Sequence, residues 1–348
     1  MRTYYPQIIN FKNKNEFEAF KKKNHINSIF DFYSDLIFEH FLVANPSVYF
    51  VSKDVQKKEF HKSFLSTKQG CWVYHEWSNQ LVHLIDQQKY LDLRTARNRN
   101  LINKYEQMKI YNKTIGIAGL SVGSNITLSL LRYGISNYYK IADSDKVALS
   151  NINRAFYTLY DLEKNKTDVI RERMHEIDPF VKIDSYSEGL TEKNSYQFLR
   201  GVNLIIDAFD NFDLKIKLRK MARIKKVPVI SGFDIDKSIL ITVERYDIDP
   251  KLDIHLFLNN ISEETIYKQF SSIQQKNNLF IDIIGRKYHS RKMLQSVLNV
   301  GKTLTGYPQL IVATLLLSAS LVYVTERILL GKPLSSFKKH ISLEYLFS

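Results

Sequence analysis

The chain contains 348 residues, of which 44% are hydrophobic, so it can bury a sizeable core. This length exceeds the roughly 250 to 300 residues at which a single core usually stops growing, and it predicts two domains or one large one. The single cysteine, Cys71, excludes a disulfide within the chain and favours a reducing compartment. Since residues 1–6 contain no signal-peptide core, we expect a cytoplasmic protein. The net charge of +14 would attract nucleic acid, but no RNA-binding motif accompanies it, so nucleic acid is a less favoured partner.

The N-terminal part of the chain is typical of a small α+β region. Residues 12–23 form a lysine-rich amphipathic stretch, and residues 29–42 predict a helix. Residues 71–75 and 80–85 predict the two strands of a hairpin. Because the composition changes near residue 100, we expect a different kind of structure after it.

A glycine-containing turn follows the first strand after that change. The apolar run Thr114–Ala118 predicts a buried parallel strand, and the sequence Gly119-Leu-Ser-Val-Gly123 follows it directly. Apolar residues at helical spacing then predict a helix over residues 124–133, with a glycine after it as its left-handed stop. Free amides at such a helix start bind phosphate, so we expect Gly119, Ser121 and Gly123 to bind a nucleotide.

Two other interpretations of this turn stay open. It could be an ordinary tight connection between a strand and a helix. The pattern G-x-S-x-G also matches the nucleophile elbow of a serine hydrolase, in which Ser121 would be catalytic. That enzyme class needs a glycine-rich oxyanion loop upstream, and no such loop is visible before Gly116.

Polar residues after the second strand favour ATP over a dinucleotide. Residues 138–142 predict this strand, and Asp143 lies at its end, where Rossmann-type folds bind the ribose of NAD or ATP alike. The segment Ser150-Asn-Ile-Asn-Arg154 and Lys166 add two cations and an amide. Such groups suit a triphosphate whose leaving pyrophosphate gains charge, and a nicotinamide site would not need them.

A third apolar strand, at residues 203–207, leads into Asp207, Asp210 and Asn211. Ligands bind at the carboxyl edge of open α/β sheets, so both carboxylates should lie near the nucleotide. Asp210 could hold magnesium, which takes one or two carboxylates together with phosphate oxygens and water. Asp207 or Asn211 should also cap the helix that begins near Asp213.

The C-terminal part carries weaker signals. Residues 238–245 should extend the sheet. Residues 251–300 contain a basic cluster at 286–292, which fits either substrate binding or a solvated loop. Residues 310–324 are shorter than the ~20 residues that a membrane-spanning helix needs, so we expect a buried helix, which could lie at a subunit interface, and no membrane.

The order of these motifs resembles the ThiF/MoeB/HesA superfamily, whose nucleotide-binding domain is shared with ubiquitin-activating enzymes. The resemblance runs from about residue 97 to 247 and is specific in its pairing of S-N-x-N-R with D-x-x-D-N. Within the superfamily, the chain is similar to bacterial members with a GLSVG turn and an R-T-x-R-N-R segment, here residues 94–99. The expected fold class is α/β, with a Rossmann-like, mostly parallel sheet, helices on both of its faces and a smaller α+β N-terminal region. Residues 1–95 are predicted as an N-terminal α+β region of unknown role, and residues 96–250 as a Rossmann-like ATP-binding adenylation domain. Residues 251–348 are predicted as a substrate or crossover segment and a C-terminal helix that complete the fold.

The resemblance implies a role for each matching residue. Asp143 would bind ribose, and Asp210 would bind magnesium; we also assign Asn211 to the cofactor site. Arg99 matches the arginine that reaches into the partner's active site in dimeric members, so a homodimer is expected. The residues implied to contact the phosphates are Asn151, Arg154 and Lys166. The expected catalytic residues are Arg154, Lys166, Asp210 and Arg99.

Three positions depart from the family pattern. Ser121 replaces a glycine in a turn that is one residue short. Ala155 replaces the glutamine that usually follows the arginine, and Lys215 replaces an arginine often found after D-N.

The expected function is ATP- and magnesium-dependent adenylation of a carboxylate with release of pyrophosphate. The carboxylate could belong to a peptide, a small ubiquitin-like protein or a small molecule. No cysteine follows Asp210 and no CxxC pair exists, so we expect direct transfer to a nucleophile without an enzyme thioester, and no structural zinc. The alternatives are an NAD(P)- or FAD-binding oxidoreductase and a catalytically silent Rossmann scaffold.

Overall fold

The computed structural model describes residues 5–63, 70–262, 264–265 and 272–347. The chain folds into two compact units. The first consists of Met1–Tyr105 and Met174–Phe180, and the second of Glu106–Arg173 and Val181–Ser348. Residues 251–348, predicted as a substrate or crossover segment and a C-terminal helix that complete the fold, lie in the second unit.

A four-stranded sheet forms the centre of the first unit. Its strands are β1 (Gln7–Ile9), β2 (Ser28–Asp31), β3 (Cys71–His75) and β4 (Gln80–Leu84), in the spatial order β1-β3-β4-β2. Strand β3 is antiparallel to β1 and β4, whereas β2 is parallel to β4. The predicted hairpin is confirmed as β3 and β4.

The helix predicted over residues 29–42 is wrong at its start. Residues 28–31 pair with β4 as strand β2, and the Oδ1 atom of Asp31 accepts a hydrogen bond from the Tyr33 amide at 3.2 Å. The helix begins only at Tyr33, because the backbone of residues 28–31 forms hydrogen bonds with β4 in the sheet. The helices of this unit are α1 (Lys14–Asn24), α2 (Tyr33–Ala44), α3 (Pro46–Tyr49), α4 (Lys53–Ser63) and α5 (Gln87–Arg94).

A seven-stranded, mostly parallel sheet forms the second unit and confirms the predicted α/β, Rossmann-like fold class. Its strands in spatial order are β11 (Phe337–Ser342), β10 (Ser238–Glu244), β9 (Val229–Ile235), β8 (Leu204–Asp207), β5 (Thr114–Ala118), β6 (Tyr138–Ala142) and β7 (Lys182–Tyr186). Strands β9 to β7 are parallel, and β10 is antiparallel to both of its neighbours. The chain proceeds outward from β5 in one direction and from β8 in the other. This reversal opens a crevice at the carboxyl ends of β5 and β8.

Helices bury this sheet, and two of their ends match the predictions. Gly134 ends α7 with a φ of 84°, and Asn211 caps α10 by accepting a hydrogen bond from the Leu214 amide at 3.1 Å. Every residue of β8 and of β10 is buried. The remaining helices are α6 (Lys104–Tyr111), α7 (Val122–Tyr133), α8 (Lys166–Ile177), α9 (Ser195–Leu199), α10 (Phe212–Lys225), α11 (His255–Leu258), α12 (Ile273–Ile284), α13 (Arg291–Asn299), α14 (Ile311–Leu330) and α15 (Leu343–Leu346).

Helix α14 is longer than predicted. It has 20 residues and continues to Leu330, so it is long and apolar enough to cross a membrane by length and composition. The argument that the segment is too short to span is therefore wrong. Its packing is that of a core helix, because it lies against α7 and strands β9 and β10, with Ala313, Leu317 and Leu321 buried.

Candidate functional site

Two loops meet closely at the crevice between β5 and β8. The Ala208 amide donates to the Ala118 carbonyl at 2.7 Å, and the Gly119 amide donates to the Ala142 carbonyl at 2.8 Å. Gly119 has a φ of 92°, and a Cβ atom at this position would lie 2.4 Å from the Ala208 carbonyl oxygen. Only glycine fits here, because both the left-handed backbone and the close approach exclude a side chain.

Two adjoining cavities open at this crevice. The smaller one, of about 290 Å³, lies beside the ends of β5 and β6, and the larger one has a volume of about 910 Å³. They share a wall, which places one ligand site directly beside another. The residues of this shared wall are Ser121, Ala208, Phe209, Asp210 and Asn211.

Asp143 lies on the small cavity and is fixed by two backbone amides. Its Oδ2 atom accepts from the Leu120 amide at 2.6 Å, and its Oδ1 atom accepts from the Asp145 amide at 2.8 Å. Burial raises the pKa of Asp143, and the nearby Lys166 ammonium opposes this rise. The carboxylate is thus held rigidly at the end of β6, the position predicted for a ribose ligand.

Lys166 begins helix α8 and lines the same cavity. Its Nζ atom lies 2.8 Å from Oδ2 of Asp145 and 3.9 Å from Oδ2 of Asp143. The lysine side chain is 5% exposed, whereas that of Asp145 is 68% exposed. The ammonium is therefore confined to the cavity wall, and its strongest partner is a solvated carboxylate that an anionic ligand could replace.

Asp207 and Asp210 have different environments. Asp207 is buried, and its two oxygens lie 2.7 Å from Lys215 Nζ and 2.6 Å from Arg219 Nη1. Burial opposes ionisation of Asp207, but these two cations outweigh it and lower the pKa. Arg219 in turn contacts Glu244 at 2.8 Å. Because these charges neutralise one another, Asp207 is a structural residue and is not available to a metal.

Asp210 is the carboxylate that could hold a metal. It lies in the wall shared by the two cavities, and no cation among the described residues is within ion-pairing distance of it. Asp210 is exposed at the surface of the cavity. The protein atoms around its carboxyl group still remove much of its hydration and raise its pKa, whereas the nearby Lys215 ammonium lowers it. No group of three His, Cys, Asp or Glu side chains in the described chain could hold a metal alone. A magnesium ion here would therefore need ligand oxygens in addition to Asp210, which suits a metal that arrives with a triphosphate.

Arg154 lines the large cavity and is held by two helices. The Arg154 carbonyl accepts from Asn125 Nδ2 of α7 at 2.8 Å and from Thr314 Oγ1 of α14 at 3.0 Å. Asn125 also accepts from the Phe156 amide at 2.9 Å. Asn125 is buried in an amphipathic helix and was not predicted, because nothing in its local sequence distinguishes it from an ordinary core polar residue.

The other predicted site residues fall into two groups. Gly119 lines the small cavity, and Ser121 and Asn211 line both, although Asn211 also caps α10. Three further residues line neither cavity. Gly123 is buried in the first turn of α7, Asn151 accepts from the Ala148 amide at 3.0 Å, and Arg99 lies in the first compact unit and donates to the Val43 carbonyl at 3.0 Å.

The large cavity contains a carboxyl group that the sequence did not reveal. Asp234 lies within strand β9, and its Oδ1 atom accepts from Gln309 Nε2 at 2.9 Å. Its Oδ2 atom is buried without a hydrogen-bond partner in the described structure. Burial raises the pKa of Asp234 to about 6. An acid inside a mostly apolar strand is the only sequence signal for this residue.

The strand order of the mostly parallel sheet reverses beside a glycine turn. The side chains of Asp143, Lys166 and Asp210 lie at this edge of the sheet. These features define a Rossmann-like α/β protein whose ligand crevice lies where the strand order reverses. Residues 95–234 match the ThiF family. The chain therefore carries a domain of the ThiF family, as the sequence motifs predicted.

The chain is similar in sequence to curated proteins and in fold to solved structures. The chain is 28% identical over 321 residues to an uncharacterized protein of Mycobacterium tuberculosis, covering 90% of this chain and 44% of that protein. It is 29% identical to the sulfur carrier protein adenylyltransferase of Thermus thermophilus, over 34% of this chain and 43% of that one. It thus spans less than half the length of either relative. A crystal structure of E. coli MccB with ATP shares the fold, with a TM-score of 0.52 and 12% identity over 84% of this chain and 77% of that one.

Proposed function

We propose that the chain uses magnesium and ATP to adenylate a carboxylate, with release of pyrophosphate. The observation that carries this proposal is the placement of Asp143, Lys166 and Asp210 around one small cavity that adjoins a much larger one. An acid, a cation and a free carboxylate are the groups that a ribose, a phosphate chain and its metal require. The relative named as an adenylyltransferase and the shared fold of MccB, solved with ATP, support the same activity.

Each residue has a task in this proposal. Asp143 binds the ribose hydroxyls, and Lys166 exchanges its bond with Asp145 for a phosphate oxygen. Asp210 would hold magnesium, which would supply positive charge beside the phosphates. Arg154, whose backbone carbonyl is held by Asn125, lines the large cavity, where its side chain stabilises charge on the reacting groups. The family resemblance assigns Arg99 to the active site of a second copy of the chain, so its role depends on the proposed homodimer.

The second half-reaction proceeds without a thioester on this chain. Cys71 is the only cysteine in the sequence. It is buried in β3 of the first compact unit, and burial raises its pKa to about 11. A thiol with such a pKa stays protonated at neutral pH and is a poor nucleophile. The acyl adenylate is therefore handed directly to an acceptor.

The large cavity is the binding site for the carboxylate substrate. Its volume of about 910 Å³ lies near the upper end of ordinary ligand pockets, which suits a peptide end or the C-terminus of a small protein. The relative named after a sulfur carrier protein fits the second kind of substrate.

We place this activity in the cytoplasm.

Calorimetric titration with magnesium and ATP tests the first step without knowledge of the carboxylate. We expect binding that Lys166→Ala and Asp210→Ala each weaken by about tenfold or more, because each loses a charge-assisted contact. Lys217→Ala is the control, since Lys217 is exposed on α10 and pairs only with Glu192 and Asp213 among the described residues.

Three results would contradict the proposal. Binding of NADH or FAD in place of ATP would indicate an oxidoreductase, and binding of no nucleotide would indicate a scaffold. ATP binding that does not depend on Asp210 would remove the magnesium site from this carboxylate. Exchange of labelled pyrophosphate into ATP, run with peptides and glycine-ended small proteins, then identifies the substrate class.

A further inference from the structure

Asp234 is the strongest feature of the large cavity that the adenylation step does not use. It lies on β9, whereas the residues assigned to ATP follow β5, β6 and β8 or begin α8. One carboxyl oxygen is held by Gln309, and the other is buried and unpaired in the described structure. A buried polar atom without a partner destabilises the folded chain, so its retention at a cavity wall points to a ligand.

The surroundings of Asp234 limit what that ligand can be. Carboxylate oxygens only accept hydrogen bonds when ionised, so the missing partner is a donor. The charged groups that act on Asp234 are Asp210, which disfavours its ionisation, and Arg154, which favours it. Phe280 and Tyr307 stack on each other at 4.3 Å in the same cavity and supply an apolar wall. The site therefore combines an apolar surface with one acceptor that needs a strong donor.

An amine meets these requirements better than the other nucleophiles that attack acyl adenylates. It carries two or three N–H donors, and in its protonated form it makes a charge-assisted bond to a carboxylate. A thiol offers only a weak donor, and a hydroxyl offers a single one. The torsion of the carboxyl about its Cβ–Cγ bond is soft, so the group can turn to meet a donor in the cavity.

We propose that the large cavity binds an amine acceptor through Asp234 and that the activated carboxylate is transferred to this amine as an amide. This rests on the proposed adenylation. An amine that binds as an ammonium first loses one proton to water. The resulting neutral nitrogen attacks the acyl carbon of the acyl adenylate, a C–N bond forms, and the C–O bond to the phosphate of AMP breaks. AMP leaves with the electron pair of that bond. One N–H proton passes to the Asp234 carboxylate and from there to water.

The protonation state of Asp234 is compatible with this task. A carboxyl with a pKa of about 6 is mostly ionised at pH 7 and yet is basic enough to accept a proton from the attacking nitrogen.

Binding of benzylamine, compared with benzyl alcohol, tests the proposal by NMR titration of the full chain. The two probes share an aromatic ring and differ in the donor group. We expect the wild-type chain to bind benzylamine about tenfold more tightly than benzyl alcohol, because the amine makes a charge-assisted bond. In Asp234→Asn this preference should disappear. Asp282→Asn, which removes an exposed carboxylate from α12, should keep it.

The outcomes are distinct. A wild-type chain that does not prefer the amine overturns the proposal without any variant, and so does a preference that survives in Asp234→Asn. Affinity for magnesium and ATP, measured on the same samples, should change less than about twofold in Asp234→Asn, since Asp234 lies outside the small cavity. Loss of ATP binding in the wild type would remove the adenylation proposal, whereas the amine preference reports on Asp234 alone.

Discussion

Gly119 and Gly201 have similar backbone conformations but different surroundings, so their alanine variants can be compared. Both have a positive φ, of 92° and 75°, but a Cβ atom at Gly119 would lie 2.4 Å from the Ala208 carbonyl oxygen, whereas one at Gly201 would meet nothing within 4 Å. We expect Gly201→Ala to lower the free energy of unfolding by about 1–2 kcal/mol, the cost of a left-handed alanine. Gly119→Ala should lose about 1–3 kcal/mol more, because the loops after β5 and β8 must separate.

Urea denaturation followed by circular dichroism measures both variants. Equal losses for the two alanines would show that the contact between Gly119 and Ala208 is not as close as described. The same titration with magnesium and ATP should show weaker binding for Gly119→Ala only, since Gly201 lies outside both cavities.

Asp234 should make the protein less stable at neutral pH. Its pKa of about 6 in the folded chain exceeds its ordinary value of 3.8, so the native state binds the proton more tightly than the unfolded state. The free energy of unfolding therefore falls as the pH rises from about 4 to about 6, and the penalty is complete above pH 6. The difference between 3.8 and about 6 corresponds to about 3 kcal/mol at most.

The variant Asp234→Asn removes this penalty. We expect it to be more stable than the wild type at pH 7 and nearly equal to it at pH 4, where the wild-type carboxyl is protonated. Chemical denaturation at both pH values measures the difference. A stability difference that does not change with pH would show that Asp234 does not titrate in this range.

At the scale of elements, four buried charges connect helix α10 to the sheet. Lys215 and Arg219 of α10 contact Asp207 at the end of β8, and Arg219 also contacts Glu244 at the end of β10. All four side chains are 2% exposed or less. Removal of one member leaves a buried charge without its partner, which typically costs about 3–5 kcal/mol.

Arg219→Met should therefore destabilise the chain by about 3–5 kcal/mol. Lys217→Met, two residues earlier on the same helix, removes an exposed cation and should cost less than about 1 kcal/mol. Thermal unfolding of both variants provides the comparison. Similar melting temperatures would mean that the buried charges contribute little to the attachment of α10.

The elements that the sequence predicted well have local signals. Strand β5, the glycine turn and α7 were predicted because an apolar run, two glycines and a helical period follow one another directly. Strand β2 was missed because its pairing with β4 involves residues about 50 positions away, and the adjoining helix pattern extended over it. The full length of α14 was also missed, since Glu326 and Arg327 resemble the end of an apolar helix but lie within it.

The candidate site divides in the same way. Asp143, Lys166 and Asp210 each follow a strand or begin a helix, so their positions at the sheet edge could be predicted from the order of the motifs. Asp234 and Gln309 could not, because a contact between residues 75 positions apart depends on the packing of the whole second unit. The ion pair between Lys215 and Asp207 could not be predicted either, because it depends on which face of α10 packs against the end of β8.

At the scale of the whole molecule, the two tryptophans report on one compact unit only. Trp72 and Trp77 both belong to the first unit, and His75 stacks on Trp77 at 4.8 Å. Burial lowers the pKa of His75 to about 4, below its ordinary value of 6.5. As the pH falls from 6.5 to about 4, the unfolded chain binds a proton that the native state does not, and the first unit loses about 3 kcal/mol of stability.

Tryptophan fluorescence during urea denaturation at pH 7 and pH 4.5 measures this loss. We expect the midpoint to fall with the pH in the wild type and to fall less in His75→Phe, which keeps an aromatic ring beside Trp77 and cannot bind the proton. An equal fall in both proteins would assign the acid sensitivity to other groups.

The wall shared by the two cavities has a consequence for inhibition. Residues 208–211 and Ser121 line both cavities, so the two cavities adjoin and one molecule can occupy both. In such a molecule, binding of the nucleoside end raises the effective concentration of the acyl end at its own site. A stable mimic of the acyl adenylate should therefore bind far more tightly than either of its two ends alone.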